Sequence, residues 1–228
     1  MFGKVRREID IFLKNMFEIE KKLVYNEENK EGIDKLISSA VFIKEVVNDD
    51  VYYDTENSDL LVKEIYLRTR NGLFELKVSQ SEKKKSIRGI EQHIEIENED
   101  EIRKYLNMKN NTEEVEIPPH CLIKKNGELK DDLEKAGYVP KFSYKVTRKK
   151  YKSGKFVIDF DEADYGFTTV EIELLVEKEE EMAGAMKKII DFAKSYGLEK
   201  SPERGKLFEY IYRFNKKAYK RVVDAGIV

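Results

Sequence analysis

Several stretches of this chain place a charged side chain at every second position with an apolar one between. Glu18-Ile19-Glu20, Asp159-Phe160-Asp161 and Glu171-Ile172-Glu173 are the clearest. In an extended strand successive side chains point to opposite faces, so each stretch has one charged face and one apolar face. A helix would scatter the same charges around its circumference. The pattern therefore calls for a sheet whose apolar face packs on a core while the other face carries acids and bases together.

The rest of the chain extends the pattern. Strands are expected near 17–25, 41–53, 63–70, 73–79, 90–97, 141–151, 155–161 and 168–177, and helices at 1–16, 30–39, 99–107, 128–137, 179–196 and 216–225. The fold class is α+β. Residues 1–16 read as a helical extension ahead of one domain spanning 17–228. Asn71-Gly72 is a type I′ hairpin signal, because both central residues need positive φ. A two-residue loop there pairs Arg70 with Leu73, Arg68 with Glu75 and Tyr66 with Lys77, all on one face. Lys152-Ser153-Gly154-Lys155 is a second turn signal. It sets Arg148 opposite Asp159 and Lys150 opposite Val157.

Collected over the strands, the charged face holds Glu18, Glu20 and Lys22; Tyr66, Arg68, Arg70, Glu75 and Lys77; Glu91, His93 and Glu95; Arg148, Asp159 and Asp161; and Glu171 and Glu173. Two arrangements satisfy the periodicity. In one, a sheet shows this face to water. In the other, the sheet curls into a barrel with helices outside, and the charges line a tunnel where they must be paired or hold a ligand. Ligand chemistry favours the tunnel. Arginines and lysines match a polyanion, Arg supplying bidentate hydrogen bonds. Carboxylates match hard divalent cations, and Mg²⁺ is the usual partner of phosphate.

Composition narrows the partners. The 228 residues carry 43 basic and 45 acidic side chains, a net charge of −2. Nucleic-acid and membrane-surface binders need a basic excess, so neither is expected here. The Lys83-Lys84-Lys85 run reads as an exposed loop. Cys121 is the single cysteine and has no cluster of Cys or His around it in sequence, His93 and His120 being the only histidines. Without a spanning apolar run or a signal-like apolar core, a soluble cytoplasmic monomer is the expectation.

The order of these motifs resembles the CYTH superfamily of triphosphate tunnel metalloenzymes, and within it the thiamine triphosphatase branch. Glu18-Ile19-Glu20-Lys21-Lys22 matches its Glu-x-Glu-x-Lys signature, and Tyr52-Tyr53-Asp54-Thr55 its Tyr-Tyr-Asp-Thr stretch. Leu67-Arg68-Thr69-Arg70 and Phe74-Glu75-Leu76-Lys77 resemble the Leu-Arg-x-Arg and Trp-Glu-Leu-Lys elements. Val146-Thr147-Arg148 is similar to the later arginine strand. The segment from Asp159 to Gly166, with Val170-Glu171-Ile172-Glu173, resembles the Asp-x-Asp-x-Ala-Asp-Phe-Gly and Glu-x-Glu elements. Gly205-Lys206-Leu207 through Arg213-Phe214 resembles the closing lysine and helix. The likeness covers nearly all of the chain from Phe17. Tyr66 and Phe74 stand where the thiamine enzymes carry tryptophans.

The resemblance implies an eight-stranded antiparallel barrel with helices packed outside. It implies that Lys22, Arg68, Arg70, Lys77, Arg148 and Lys206 hold a triphosphate, with Tyr66 beside the clamp facing the organic group. Glu18, Glu20, Asp159, Glu171 and Glu173 would hold Mg²⁺, and Tyr52 with Lys77 would activate the attacking water. The expected activity is hydrolysis of thiamine triphosphate to the diphosphate and phosphate. An inorganic triphosphatase is the nearest alternative, ahead of an adenylate cyclase. A non-catalytic polyphosphate-binding module and a structural sheet with a solvated charged face complete the alternatives.

Overall fold

The computed structural model describes residues 17–79, 93–109, 123–199 and 204–228. The expectations for a helix at 1–16, for the lysine loop at 83–85, and for Glu91, His120 and Cys121 lie outside the described residues. Eight strands form one antiparallel sheet: β1 (Phe17–Val24), β2 (Val41–Asp54), β3 (Ile65–Arg70), β4 (Leu73–Ser79), β5 (His93–Ile96), β6 (Val139–Ser153), β7 (Phe156–Ala163) and β8 (Phe167–Val176). Their order across the sheet is β1-β8-β7-β6-β2-β3-β4-β5. The sheet is a half-barrel: β1 and β5 are its edges, and no ladder joins them among the described residues. It curls far enough that Glu18 on β1 feels the charges of Lys77 on β4 and Glu95 on β5.

Among the described residues six helices surround it: α1 (Lys30–Ser39), α2 (Glu99–Lys109), α3 (Leu129–Lys135), α4 (Met182–Lys194), α5 (Lys206–Phe214) and α6 (Lys216–Asp224). The alternation explains their placement. Ile19, Leu23, Ile158, Ile172 and Leu174 on the convex side are covered by Ile33 and Leu36 of α1 and by Met186 and Ile189 of α4. Leu67, Leu76 and Val78 are covered by Ile102 and Leu106 of α2 and Leu133 of α3. The third apolar cluster is on the concave side, at one end. There Phe142, Tyr144, Val146 and Ala163 meet Leu207 and Ile211 of α5 and Ala218 and Val222 of α6. The two C-terminal helices thus close one end of the half-barrel. Asn98 and Asn215 cap α2 and α6, their side-chain oxygens accepting backbone N–H bonds from the first turns. No helix among the described residues is long and apolar enough to cross a membrane.

Helical periodicity did not mark α5; only the resemblance placed a helix there. Its sequence, Lys-Leu-Phe-Glu-Tyr-Ile-Tyr-Arg-Phe, is rich in aromatics that favour strands. Burial of Leu207 and Ile211 against the sheet overrides that preference.

The β3–β4 hairpin has the expected register, Arg68 opposite Glu75 and Tyr66 opposite Lys77. Asn71 and Gly72 both take positive φ, +52° and +83°, as a type I′ turn requires. The β6–β7 hairpin differs from expectation by two residues. Arg148 lies opposite Asp161 and Lys150 opposite Asp159, not Asp159 and Val157. Its loop is Gly154-Lys155, because glycine takes the first loop position, at φ +58°, without steric cost. Moving the turn centre by one residue shifts the register by two, which leaves every side chain on its expected face.

Candidate functional site

The concave face encloses a cavity of about 500 Å³. Of the thirteen residues assigned to a site from sequence, twelve line it: Glu18, Glu20, Lys22, Tyr52, Tyr66, Arg68, Arg70, Lys77, Arg148, Glu171, Glu173 and Lys206. Asp159 alone sits wholly buried beneath the wall.

 All but Lys206 stand on strands; Lys206 comes from the first turn of α5. The wall also carries Lys150, Glu64, Glu95, Tyr144, Arg204 and Phe208, with Leu207, Ile227 and Val228 at the end closed by α5.

The arginines are held rigidly. Asp50 on β2 is buried and takes Arg70 bidentately, Nε and Nη2 each 2.8 Å from one of its oxygens. Arg68 lies between Glu75, at 2.7 Å, and Asp50, at 3.5 Å, and donates to the Tyr52 hydroxyl at 3.3 Å. Arg148 reaches three carboxylates: Asp159 at 2.5 Å, Asp161 at 2.6 Å and Glu171 at 2.8 Å. The β7–β8 turn aims Lys206, since the Tyr165 hydroxyl donates to the Lys206 carbonyl at 2.6 Å. The Lys206 amine then lies 2.7 Å from both Asp161 and Glu171. Burial alone would lower the pKa of Lys206, but Glu171 and Asp161 outweigh it and raise it. Lys22 pairs with Glu20 at 2.9 Å. Lys77 faces Glu95 at 3.3 Å, and the Tyr52 hydroxyl is 3.2 Å from that of Tyr144. Among the described residues no hydrogen bond joins Tyr52 to Lys77.

The carboxylates form two groups that share Glu173. Oxygens of Glu18, Glu20 and Glu173 lie within 4.8 Å of one another, as do those of Asp159, Glu171 and Glu173. Glu20 and Glu173 stand directly opposite across the β1–β8 pair, a repulsive arrangement for like charges. Burial first, then Glu18 and Asp159, push the Glu173 carboxyl up to about 9. Burial and Glu20 raise that of Glu18. Glu171 goes the other way: burial would raise it, but Lys206, Arg148 and Lys22 hold it well below the usual carboxylate range. Both Asp159 oxygens are buried and receive no well-aimed hydrogen bond, although Arg148 and Lys150 approach them closely. Such close approach supplies charge without the directed geometry a carboxylate prefers.

The CYTH domain family's sequence model matches residues 16–203. The chain belongs to the CYTH domain family. Its fold is similar to that of the PH1819 protein from Pyrococcus horikoshii OT3, at 21% identity over 87% of this chain and 99% of that one, with a TM-score of 0.53. It is also similar to the putative adenylyl cyclase HpAC1 from Hippeastrum, at 18% identity over 87% and 95% of the two chains, with a TM-score of 0.50.

The CYTH fold brings in residues that sequence reasoning missed. Lys150 was set opposite Val157 by the two-residue register error, which hid its pairing with Asp159. Asp50 sits at the tenth residue of β2, and only the β2–β3 register, Asp50 opposite Arg70, reveals its partner. Leu207 and Phe208 reach the cavity on α5, Arg204 from just ahead of it and Ile227 from just beyond α6, placements that no local strand pattern could forecast.

Proposed function

We propose that this chain hydrolyses the terminal phosphate of an organic triphosphate with the help of a divalent cation, Mg²⁺, and that thiamine triphosphate is its substrate. The observation that carries the reading is the charge balance of one wall. Among the described residues, eight cationic side chains line the cavity: Lys22, Arg68, Arg70, Lys77, Arg148, Lys150, Arg204 and Lys206. Six glutamates line it with them, and Asp50, Glu75, Asp159 and Asp161 pair with those cations from behind. The carboxyl groups around the cavity outnumber its eight cations, so a polyanion is held best together with a metal ion that compensates them. A polyphosphate–metal complex satisfies both sets.

Glu18, Glu20, Asp159, Glu171 and Glu173 suit a hard divalent cation, being oxygen donors in two close groups with the poorly bonded Asp159 at their centre. Bound there, the ion would neutralise phosphate oxygens on which charge builds in the transition state. The protein's own share is positioning. Arg68 and Arg70, set by Asp50, and Arg148 with Lys206, set by Asp161 and Glu171, offer donors from opposite sides of the cavity to hold the phosphates in one orientation. Lys22 and Lys77 extend the clamp. Lys77 and Tyr52 are assigned to orient the attacking water; lacking a mutual hydrogen bond, they would act together through that water.

The aromatic and aliphatic end of the cavity favours an organic substrate over inorganic tripolyphosphate. Tyr66 packs edge-on against Phe208, centroids 6.2 Å apart, beside Leu207, Ile227 and Val228. A ring and a permanent positive charge, as in thiazolium, suit that end through apolar contact and cation–π attraction. HpAC1 is described as having a dominant triphosphatase activity, which supports the reaction class. Every residue assigned belongs to one chain, so the reading requires no second protomer, nucleic acid or membrane, and it is compatible with a monomer in the cytoplasm. Phosphate release from thiamine triphosphate, tripolyphosphate and ATP, with Mg²⁺ and with chelator, tests it. The expected result is Mg²⁺-dependent release, fastest from thiamine triphosphate. Faster release from tripolyphosphate would move the assignment to an inorganic triphosphatase, and no release from any of the three would overturn it.

A further inference from the structure

Lys150 occupies a position that the phosphate clamp does not account for. Its amine lies 2.8 Å from Asp159 Oδ1 and 3.5 Å from Glu173 Oε2, between two of the three carboxylates of the deeper acidic group. The third, Glu171, is bridged to Arg148 and Lys206. A cation of the protein's own thus stands where the carboxylates converge. Its stem stands on the inner face of β6, one alternation from Arg148, and the residue lines the cavity.

We propose that Lys150 is an exchangeable counter-ion: it neutralises Asp159 beside Glu173 in the metal-free protein, yields both carboxyl groups to a divalent cation, and turns its amine to the polyphosphate. The inference rests on the metal reading above and adds to it a residue and a direction of coupling. The side chain suits the part. A lysine carries a compact charge on a flexible four-carbon stem, whereas Arg148 is fixed by three carboxylates at once. An ammonium and a divalent ion cannot both remain against the same two carboxylates without strong repulsion. Once displaced, the amine has the open cavity beside it. Metal uptake therefore adds a cation to the phosphate wall, and by linkage the anion favours metal uptake in return.

Two measurements on the full chain test this. The first is Mn²⁺ binding in the absence of any phosphate, followed by electron paramagnetic resonance, for wild type and Lys150→Met. Methionine keeps most of the side chain's length and removes its charge. Loss of a competing cation should tighten Mn²⁺ binding by at least about tenfold. The second needs no variant: acetylation of each lysine of the wild type is followed by mass spectrometry as Mg²⁺ is added. Lys150 should become more reactive on Mg²⁺ addition while Lys206, held by Asp161 and Glu171, changes little. Equal Mn²⁺ affinities, or Lys150 labelling indifferent to a metal that demonstrably binds, overturn the exchange and leave the proposed reaction standing. Failure of both proteins to bind Mn²⁺ removes the metal reading and the exchange with it.

Discussion

Replacing Glu173 by glutamine should stabilise the metal-free protein and abolish most of its turnover. Glu173 is 8% exposed, faces Glu20 across the β1–β8 pair, and shares both acidic groups. Burial, Glu18 and Asp159 push its carboxyl from 4.5 up to about 9. The unfolded chain releases this proton near 4.5 and the folded protein near 9. Between those limits the folded state holds the extra proton, so its stability is complete below 4.5 and is lost progressively as pH rises towards 9. At pH 7 the loss covers about 2.5 pH units at about 1.4 kcal/mol each, up to about 3 kcal/mol. Glutamine keeps the shape and never ionises. The melting temperatures of the two proteins, measured in chelator, should therefore coincide near pH 4.5 and separate as pH rises. At pH 7 the variant should melt about 6–12 °C higher, since 1 kcal/mol is worth about 2–4 °C at this size. Mg²⁺ should narrow the gap by stabilising only the protein that binds it. Turnover with Mg²⁺ should fall at least about a hundredfold, because a metal at a phosphoryl group contributes several kcal/mol. A variant less stable than wild type at pH 7, or a gap independent of pH, would refute the electrostatic reasoning. Retained turnover would refute the metal assignment.

Asp50→Asn breaks a buried pairing and leaves Arg68 and Arg70 without their shared carboxylate, so the urea midpoint should fall by the equivalent of about 3–5 kcal/mol; an unchanged midpoint would show that Asp50 is not the anchor. Tyr66→Ala should lower kcat/KM for thiamine triphosphate several-fold to about thirtyfold while tripolyphosphate loses little, and Tyr66→Trp should favour the thiamine substrate. Equal losses on both substrates would exclude recognition of the ring by Tyr66. A chain beginning at Met16 keeps every cavity-lining residue, so it should fold and retain Mg²⁺-dependent phosphate release; a folded but inactive truncation would tie residues 1–15 to the site.

The positions of the strands and the composition of the cavity wall were legible because alternation is a local property with a period of two. Glu18, Glu20 and Lys22 needed nothing but the extended conformation of their own strand to share a face. Asn71-Gly72 was equally legible, since two adjacent positive φ values are demanding enough to name the turn and with it the register of Arg68 and Glu75. Gly154 was less so. A single glycine in a four-residue window can occupy either loop position, and a slip of two residues leaves the faces intact, so nothing in the pattern reveals the error. That slip separated Lys150 from Asp159, and the exchangeable pairing went unseen.

What the sequence by itself determined is which side chains share a face, which segments are strands, and that this face mixes acidic with basic side chains. The tertiary structure decided that the face is concave, because curling depends on the twist summed over eight strands and on the helices packed behind them, neither of which is encoded in any one segment. It also decided that α5 and α6 close one end, bringing Lys206 onto Asp161 and Glu171 from about 40 residues away. The high pKa of Glu173 was likewise out of reach of sequence alone. It depends on burial and on through-space distances to Glu18 and Asp159, and electrostatic energy follows those distances rather than separation along the chain.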